Sequence, residues 1–240
     1  MSAFAESFSA AVQLVVQADA VLLHTVGLSL WVSGSACLLA AGLGLALGAW
    51  LAVASFPGRR LLQGLMSTLL ALPSVVVGLV VYLLLSRSGP LGTWGILFTP
   101  KAMILAQTML VLPVVAALSQ QLISDALREG GDQLRSMGAS PFTAACLMLM
   151  HERLAVLTIL LTAFGRAISE VGAVMIVGGN IEGITRVITT AIALETSKGD
   201  LPLALALGLV LLGLVGVVNL LIAMTQAWQR GQGQQSEGGR

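Results

Sequence analysis

Apolar residues run along this chain in long unbroken stretches, and polar residues are confined to the gaps between them. Five stretches supply the roughly 20 apolar residues that a membrane-spanning helix needs: Val26–Phe56, Leu61–Ser86, Ala102–Ile123, Leu154–Ile181 and Leu201–Trp228. In lipid, only helices and closed barrels satisfy their backbone groups internally. The runs are continuous rather than alternating, which selects helices. The predicted fold class is all-α, a polytopic membrane helical bundle of about five transmembrane helices. A shorter segment, Phe4–Val16, is apolar on one face. It fits a helix lying at the interface or a sixth span, although Glu6, Gln13, Gln17 and Asp19 count against a span. The chain thus divides into an N-terminal segment 1–25, a transmembrane domain 26–228 and a Gly/Gln-rich tail 229–240 that reads as disordered.

The connections differ in kind. Pro57-Gly58-Arg59-Arg60 is a tight turn, and Arg87 to Lys101 is a longer loop rich in Gly and Pro. Glu182 to Asp200 reads as a long polar connection. The largest polar island is 124–153. Ser124 to Met137 fits a helix that Gly130 and Gly131 weaken by roughly 1 kcal/mol each relative to Ala. Gly138 suits a left-handed stop. Ser140 suits an N-cap and Pro141 a first helical residue, opening a second short helix that is apolar through Phe142, Ala145 and Leu149. Most connections are short, so a long one with two cappable helices predicts a docking element rather than an idle loop.

Composition and charge orient this picture. The chain is 57% hydrophobic and 10% charged, with a mean hydropathy of +0.95, against about 25% charged in soluble domains. A formal charge of +1 gives no basic surface for nucleic acid. With five spans, the island shares its side with Arg59, Arg60, Arg128, Arg135, Arg153, Arg230 and Arg240, against Arg87, Lys101, Arg186 and Lys198 opposite. Seven against four puts the island and the C-terminus in the cytoplasm and the N-terminus outside. Met1 to Val26 has no Lys or Arg, so the basic start of a cleaved signal peptide is missing.

Several features inside the spans carry candidate roles. Ala40, Gly44, Gly48 and Ala52 recur every four residues, a stripe that lets helices approach closely. Pro73 and Pro113 are expected to kink the second and third spans, for packing or to widen a pathway. Arg166 and Glu170 stand at i and i+4 on one face of the fourth span. Each costs roughly 2.5–3.5 kcal/mol at bilayer depth, so both are expected to face the interior as a pair. That pair either fixes packing or gating, or lets Arg166 present positive potential to a passing anion with Glu170 restraining it. Gly178-Gly179-Asn180 is either a plain helix end or backbone turned towards a pore.

Catalytic and cofactor chemistry find little support. His24 and His151 have no Cys or carboxylate neighbours at ligand spacing, Cys37 and Cys146 have no metal-type spacing, and Cys37, in an apolar run, reads as inert. No metal site, cofactor or catalytic residue is predicted. The chain has no Gly-x-x-x-x-Gly-Lys-[Ser/Thr], hence no phosphate cradle of its own.

Asp132-x-x-x-x-x-Gly138-Ala139-Ser140 resembles the "EAA" loop of binding-protein-dependent ABC transporter permeases. That pattern is an acidic residue, two small residues, three variable ones, a glycine and, further on, Ile-x-Leu-Pro. Gln133 and Leu134 stand where the family has small residues, and His151 where it has proline. The stretches 165–173, 177–183 and 189–199, with 56–60 and 84–92, are similar to oxyanion permeases, most of all the tungstate (Tup-type) ones. The resemblance implies a MetI-like fold (the ABC transmembrane type 1 domain) and a bacterial plasma-membrane location. It implies ATPase coupling through Asp132, Gly138, Ala139, Ser140, Pro141 and Phe142, and translocation or gating around Arg166, Glu170, Gly178, Gly179 and Asn180. The implied partners are two ABC ATPase subunits, an extracytoplasmic oxyanion-binding protein and a second copy of the chain, since five spans are few for a substrate path. Tungstate is the expected cargo, with molybdate or sulfate as alternatives. A membrane enzyme or scaffold is the competing class; an enzyme needs convergent polar groups at depth, for which only Arg166 and Glu170 qualify.

Overall fold

The computed structural model describes residues 3–17 and 20–237, and their regular structure is helical, with no strand among them. The helices are α1 (Ala3–Val16), α2 (Ala20–Val53), α3 (Arg59–Leu69), α4 (Ser74–Leu85), α5 (Pro100–Ser136), α6 (Pro141–His151), α7 (Arg153–Ile168), α8 (Gly172–Gly178), α9 (Ile188–Lys198) and α10 (Leu201–Glu237). Three of them, at 20–53, 100–134 and 201–228, are each long and apolar enough to cross a membrane. The number rises to five if α3 with α4, and α6 with α7, each count as one bent span. The chain is an all-α polytopic membrane protein.

The boundaries depart from the sequence reading in five places. The expected span Leu61–Ser86 is two helices, because Pro73 starts α4 from an extended conformation and proline disfavours a helical residue before it. Pro73 therefore ends a helix rather than kinking one, while α5 runs on through Pro113. The expected span Leu154–Ile181 stops at Ile168 and restarts at Gly172. The expected polar connection Glu182–Asp200 contains α9. Its start is closed by Thr190 Oγ1, which accepts from Val187 N at 3.1 Å, and its end by Gly199 at φ 84°. The first half of the island belongs to α5, so the third span and the island share one continuous helix. Finally, α10 continues to Glu237, over most of the segment expected to be disordered; 238–240, like Asp19, lie outside the described residues.

The chain forms two compact units. The first comprises Met1–Ala36, Pro73–Thr108 and Gly165–Val217. Its apolar core joins Ala11 of α1 and Leu22 of α2 to Ile188 and Ala191 of α9 and Ala206 and Leu207 of α10. At 14 residues, α1 is about 21 Å long, short of the roughly 30 Å hydrocarbon core, and it is packed through Ala11. In the same unit α4 and α8 touch backbone to backbone: a Cβ on Gly78 would lie 2.7 Å from Ala173 Cα.

The second unit comprises Cys37–Leu72, Met109–Phe164 and Val218–Arg240. Here Ala40, Gly44, Gly48 and Ala52 are all buried, as the four-residue stripe predicts. A Cβ on Gly44 would lie 2.8 Å from Val115 Cβ, and one on Gly48 would meet Ser119 Oγ and the Ala116 carbonyl. The stripe is thus the face along which α2 meets α5.

Candidate functional site

The island ends α5 as its sequence prescribes. Gly138 takes φ 79°, and Ala139 N closes back on the Leu134 carbonyl at 3.0 Å, a left-handed stop that satisfies a terminal carbonyl. Ser140 Oγ accepts from Thr143 N at 3.2 Å and Pro141 occupies the first turn, so α6 starts capped. The chain then bends by 78° between α6 and α7.

α6 has two contrasting sides. Ala144 and Ala145 are buried, and Ala145 forms one core with Ala49 and Ala52 at the end of α2 and Ile123 of α5, with Leu127 and Leu149 packed around it. Gly130 lies against Met148, where a Cβ would come within 3.1 Å of Met148 Cε, and Gly131 is buried. Gly130, which weakens the helix by propensity, therefore lets α6 sit close to α5. Phe142 and Met150 on the other side are 55% and 74% exposed. The Asp132 side chain, with Ala139 and Pro141, lines a cleft of about 520 Å³ together with Arg59 and Arg128. An exposed aromatic–methionine edge on a short helix rooted in two long ones is suited to take up a partner and pass its motion on.

The second candidate region is the discontinuity between α7 and α8. Glu170 lies beyond the end of α7, and its Oε1 accepts from Ala173 N at 3.1 Å, a cap on α8. The expected Arg166–Glu170 pair is absent, because the helix that would align them stops between them. Arg166 is exposed and forms no ion pair or hydrogen bond among the described residues. It lies thirteen helical steps along α7 from Arg153, about 20 Å of rise.

Gly178-Gly179-Asn180 closes α8. Gly179 (φ 71°) donates to the Met175 carbonyl, Asn180 takes φ 52°, and Thr185 Oγ1 donates to the Gly178 carbonyl at 2.6 Å. Gly178 packs on Met103, and Gly179 on the Phe98 ring.

Three groups absent from the sequence reading hold these elements. Gln107 of α5, 3% exposed, donates from Nε2 to the Ala167 carbonyl at 2.9 Å, while Thr189 Oγ1 donates to the Glu170 carbonyl at 2.7 Å. The break is thereby pinned from both sides, and Gln107 Oε1 remains buried without a partner. Ser29, in a buried Thr25–Ser29–Ser33 row, accepts from Ile188 N at 2.8 Å. Arg59, read for topology alone, donates to the Leu51 and Ala52 carbonyls at 2.9 and 2.7 Å and so caps α2. Gln107, set deep in an apolar stretch of Ala102–Ile123, and the four-residue spacing of Thr25, Ser29 and Ser33 were the available signals. Among the described residues no group of three His, Cys, Asp or Glu side chains gathers as a metal site would.

No family model matches the chain. It is similar to the tungstate uptake system permease protein of Peptoclostridium acidaminophilum, with 42% identity over 226 residues, covering 94% of this chain and 99% of that one. A probable anion ABC transporter permease protein of Haloferax volcanii is 45% identical over 205 residues, covering 83% and 88% respectively. The sulfate transport system permease protein CysW of Escherichia coli is 32% identical over 198 residues, covering 76% and 66%.

Proposed function

We propose, from the premise that this chain belongs to the permease subunits of ABC transporters, that it carries tungstate into the cytoplasm, driven by ATP hydrolysis on a partner subunit. The observation that carries the cargo is the 42% identity, over nearly the whole of both chains, to a tungstate uptake permease. Sulfate is the second reading, favoured by the 32% identity to a sulfate permease.

The island faces the cytoplasm, as the Lys/Arg asymmetry favours, and the ATPase subunit receives Phe142 and Met150 of α6. Closure of two ATPase subunits on ATP moves α6. The buried contacts of Ala145 with Ala49, Ala52 and Ile123 carry that movement into α2 and α5. An extracytoplasmic binding protein delivers the oxyanion on the other side. The chain works as a homodimer, and the path runs between the copies.

Arg166 supports this path. A guanidinium about 20 Å along α7 from Arg153 costs roughly 2.5–3.5 kcal/mol against lipid, and among the described residues no carboxylate neutralises it. Its exposed side therefore faces the partner copy or water in the path, where positive potential attracts a dianion. Glu170 and Gly178-Gly179-Asn180 set the end positions of α8 beside it. Conduction requires weak sites, so one unpaired arginine suffices where a cage of them would trap the cargo.

Co-purification of an ATPase subunit with the chain is the experiment for the permease reading, and its failure under conditions that preserve other ABC complexes would contradict it. Arg166→Ala is expected to cut uptake by on the order of tenfold, the loss of about 1.4 kcal/mol, while the complex assembles as before. Uptake at the wild-type rate would remove Arg166 from the mechanism.

A further inference from the structure

We propose that the second unit holds a binding site for the phosphate headgroup of an anionic phospholipid, at the start of α3. A cavity there is lined by Arg59, Arg60, Arg128, Gln63, Gln120 and Ser124, with no carboxylate in its lining. Arg59 spends its Nε and one terminal nitrogen on capping α2 and keeps the other. Arg128 meets Asp125 at 3.5 Å, but that pair is largely solvent-exposed and so contributes little. Asp132 lines the neighbouring cleft and not this one. Three arginines line one cavity with Gln63, Gln120 and Ser124, where Gln120 Nε2 donates to Ser124 Oγ at 3.0 Å, a donor set suited to a phosphate group.

The helix beside the cavity supplies the lipid half of the site. The first turn of α3 has no acidic residue and no side-chain cap; Gly58 precedes it at φ 92°. Arg59 N donates to the Phe56 carbonyl at 3.2 Å, and the following amides of the first turn, with the helix dipole, add positive potential at the same spot. No residue of α3 is buried, and Leu61 and Leu65, one turn apart, are 80% and 50% exposed. A short amphipathic helix with arginines at its start and leucines along one side lies in a headgroup layer, its leucines among the acyl chains. A free oxyanion would use the arginines and leave the leucines unexplained; an anionic lipid uses both. The site rests on the proposed function only for the leaflet it occupies, and its test does not involve transport.

The experiment takes the assembled transporter, permease with ATPase subunits, in nanodiscs of phosphatidylcholine mixed with phosphatidylglycerol. Lipid retained per complex is read by native mass spectrometry. Wild type is expected to retain phosphatidylglycerol over phosphatidylcholine. The double variant Arg60→Gln/Arg128→Gln is expected to lose that preference by on the order of thirtyfold, the effect of two basic residues at an anionic surface. Gln63→Glu keeps every arginine, places a carboxylate in the cavity, and is expected to lose the preference as well. Equal retention of both lipids by wild type, or retention unchanged in Gln63→Glu, overturns the proposal. Displacement of the lipid by soluble tungstate or phosphate at constant ionic strength assigns the cavity to a free oxyanion instead. Cross-linking of Leu61→Cys between protomers assigns the exposed face of α3 to a second copy.

Discussion

Gly48→Val is expected to eliminate the folded permease. In the second unit a Cβ at this position would meet Ser119 Oγ, lie 2.7 Å from the Ala116 carbonyl oxygen and come within 3.0 Å of Gln120 N. A hydroxyl can rotate aside, but a carbonyl and an amide of a continuous helix cannot. Relief requires α2 and α5 to separate, which uncovers the whole Ala40–Ala52 stripe. Overpacking in a filled interior costs about 1–3 kcal/mol and occasionally more, and valine adds two methyls beyond the Cβ. In lipid that loss is not recovered by any hydrophobic drive, because close packing is itself what holds such helices together. The yield of monodisperse protein on size exclusion is the readout. Gly42→Ala is the control: it lies on the same helix with nothing within 4 Å of its Cβ, and it is expected to behave as wild type. Wild-type yield from Gly48→Val would mean that the two helices do not meet along this stripe.

Phe142→Asp is expected to separate the permease from its ATPase without unfolding it. Phe142 is 55% exposed, so the free chain loses little by the change, and aspartate in the first turn of α6 suits the helix dipole. In the complex the same carboxylate would be buried where a ring had been. Truncating an aromatic anchor costs about 2 kcal/mol or more, some thirtyfold in affinity, and a buried unpaired charge adds to that. ATPase recovered with the affinity-tagged permease is expected to fall to background, with the size-exclusion profile of the permease unchanged. Full recovery would show that the partner docks elsewhere.

What was legible in the sequence was local chemistry. Gly138, Ser140 and Pro141 announced a helix stop and a helix start because each type has few other uses at such a junction, and both are found. The Ala40–Ala52 stripe was legible because a four-residue period of small residues maps onto one helical face. The breaks at Leu70–Pro73 and Ser169–Val171 were not, because hydropathy measures cost in lipid and is blind to where a helix stops. That blindness also produced the Arg166–Glu170 pair, whose spacing means contact only inside a continuous helix. The second break depends on donors far away in sequence, Gln107 and Thr189, and α9 on the hydroxyl of Ser29. Such long-range partners leave no pattern near the element they hold. The tail misled in the other direction: its glycines are poor for helix, but continuing an established helix requires no new nucleus.

ATP-dependent tungstate uptake is the most direct test of this chain as the membrane path of an oxyanion importer. Proteoliposomes holding the permease with its ATPase subunits, supplied with the extracytoplasmic binding protein and with ATP on the α6 side, are expected to accumulate tungstate. Excess sulfate is expected to leave that accumulation intact, and Phe142→Asp to abolish it. No accumulation from an intact, ATP-hydrolysing complex, or accumulation suppressed by sulfate, would contradict the assignment.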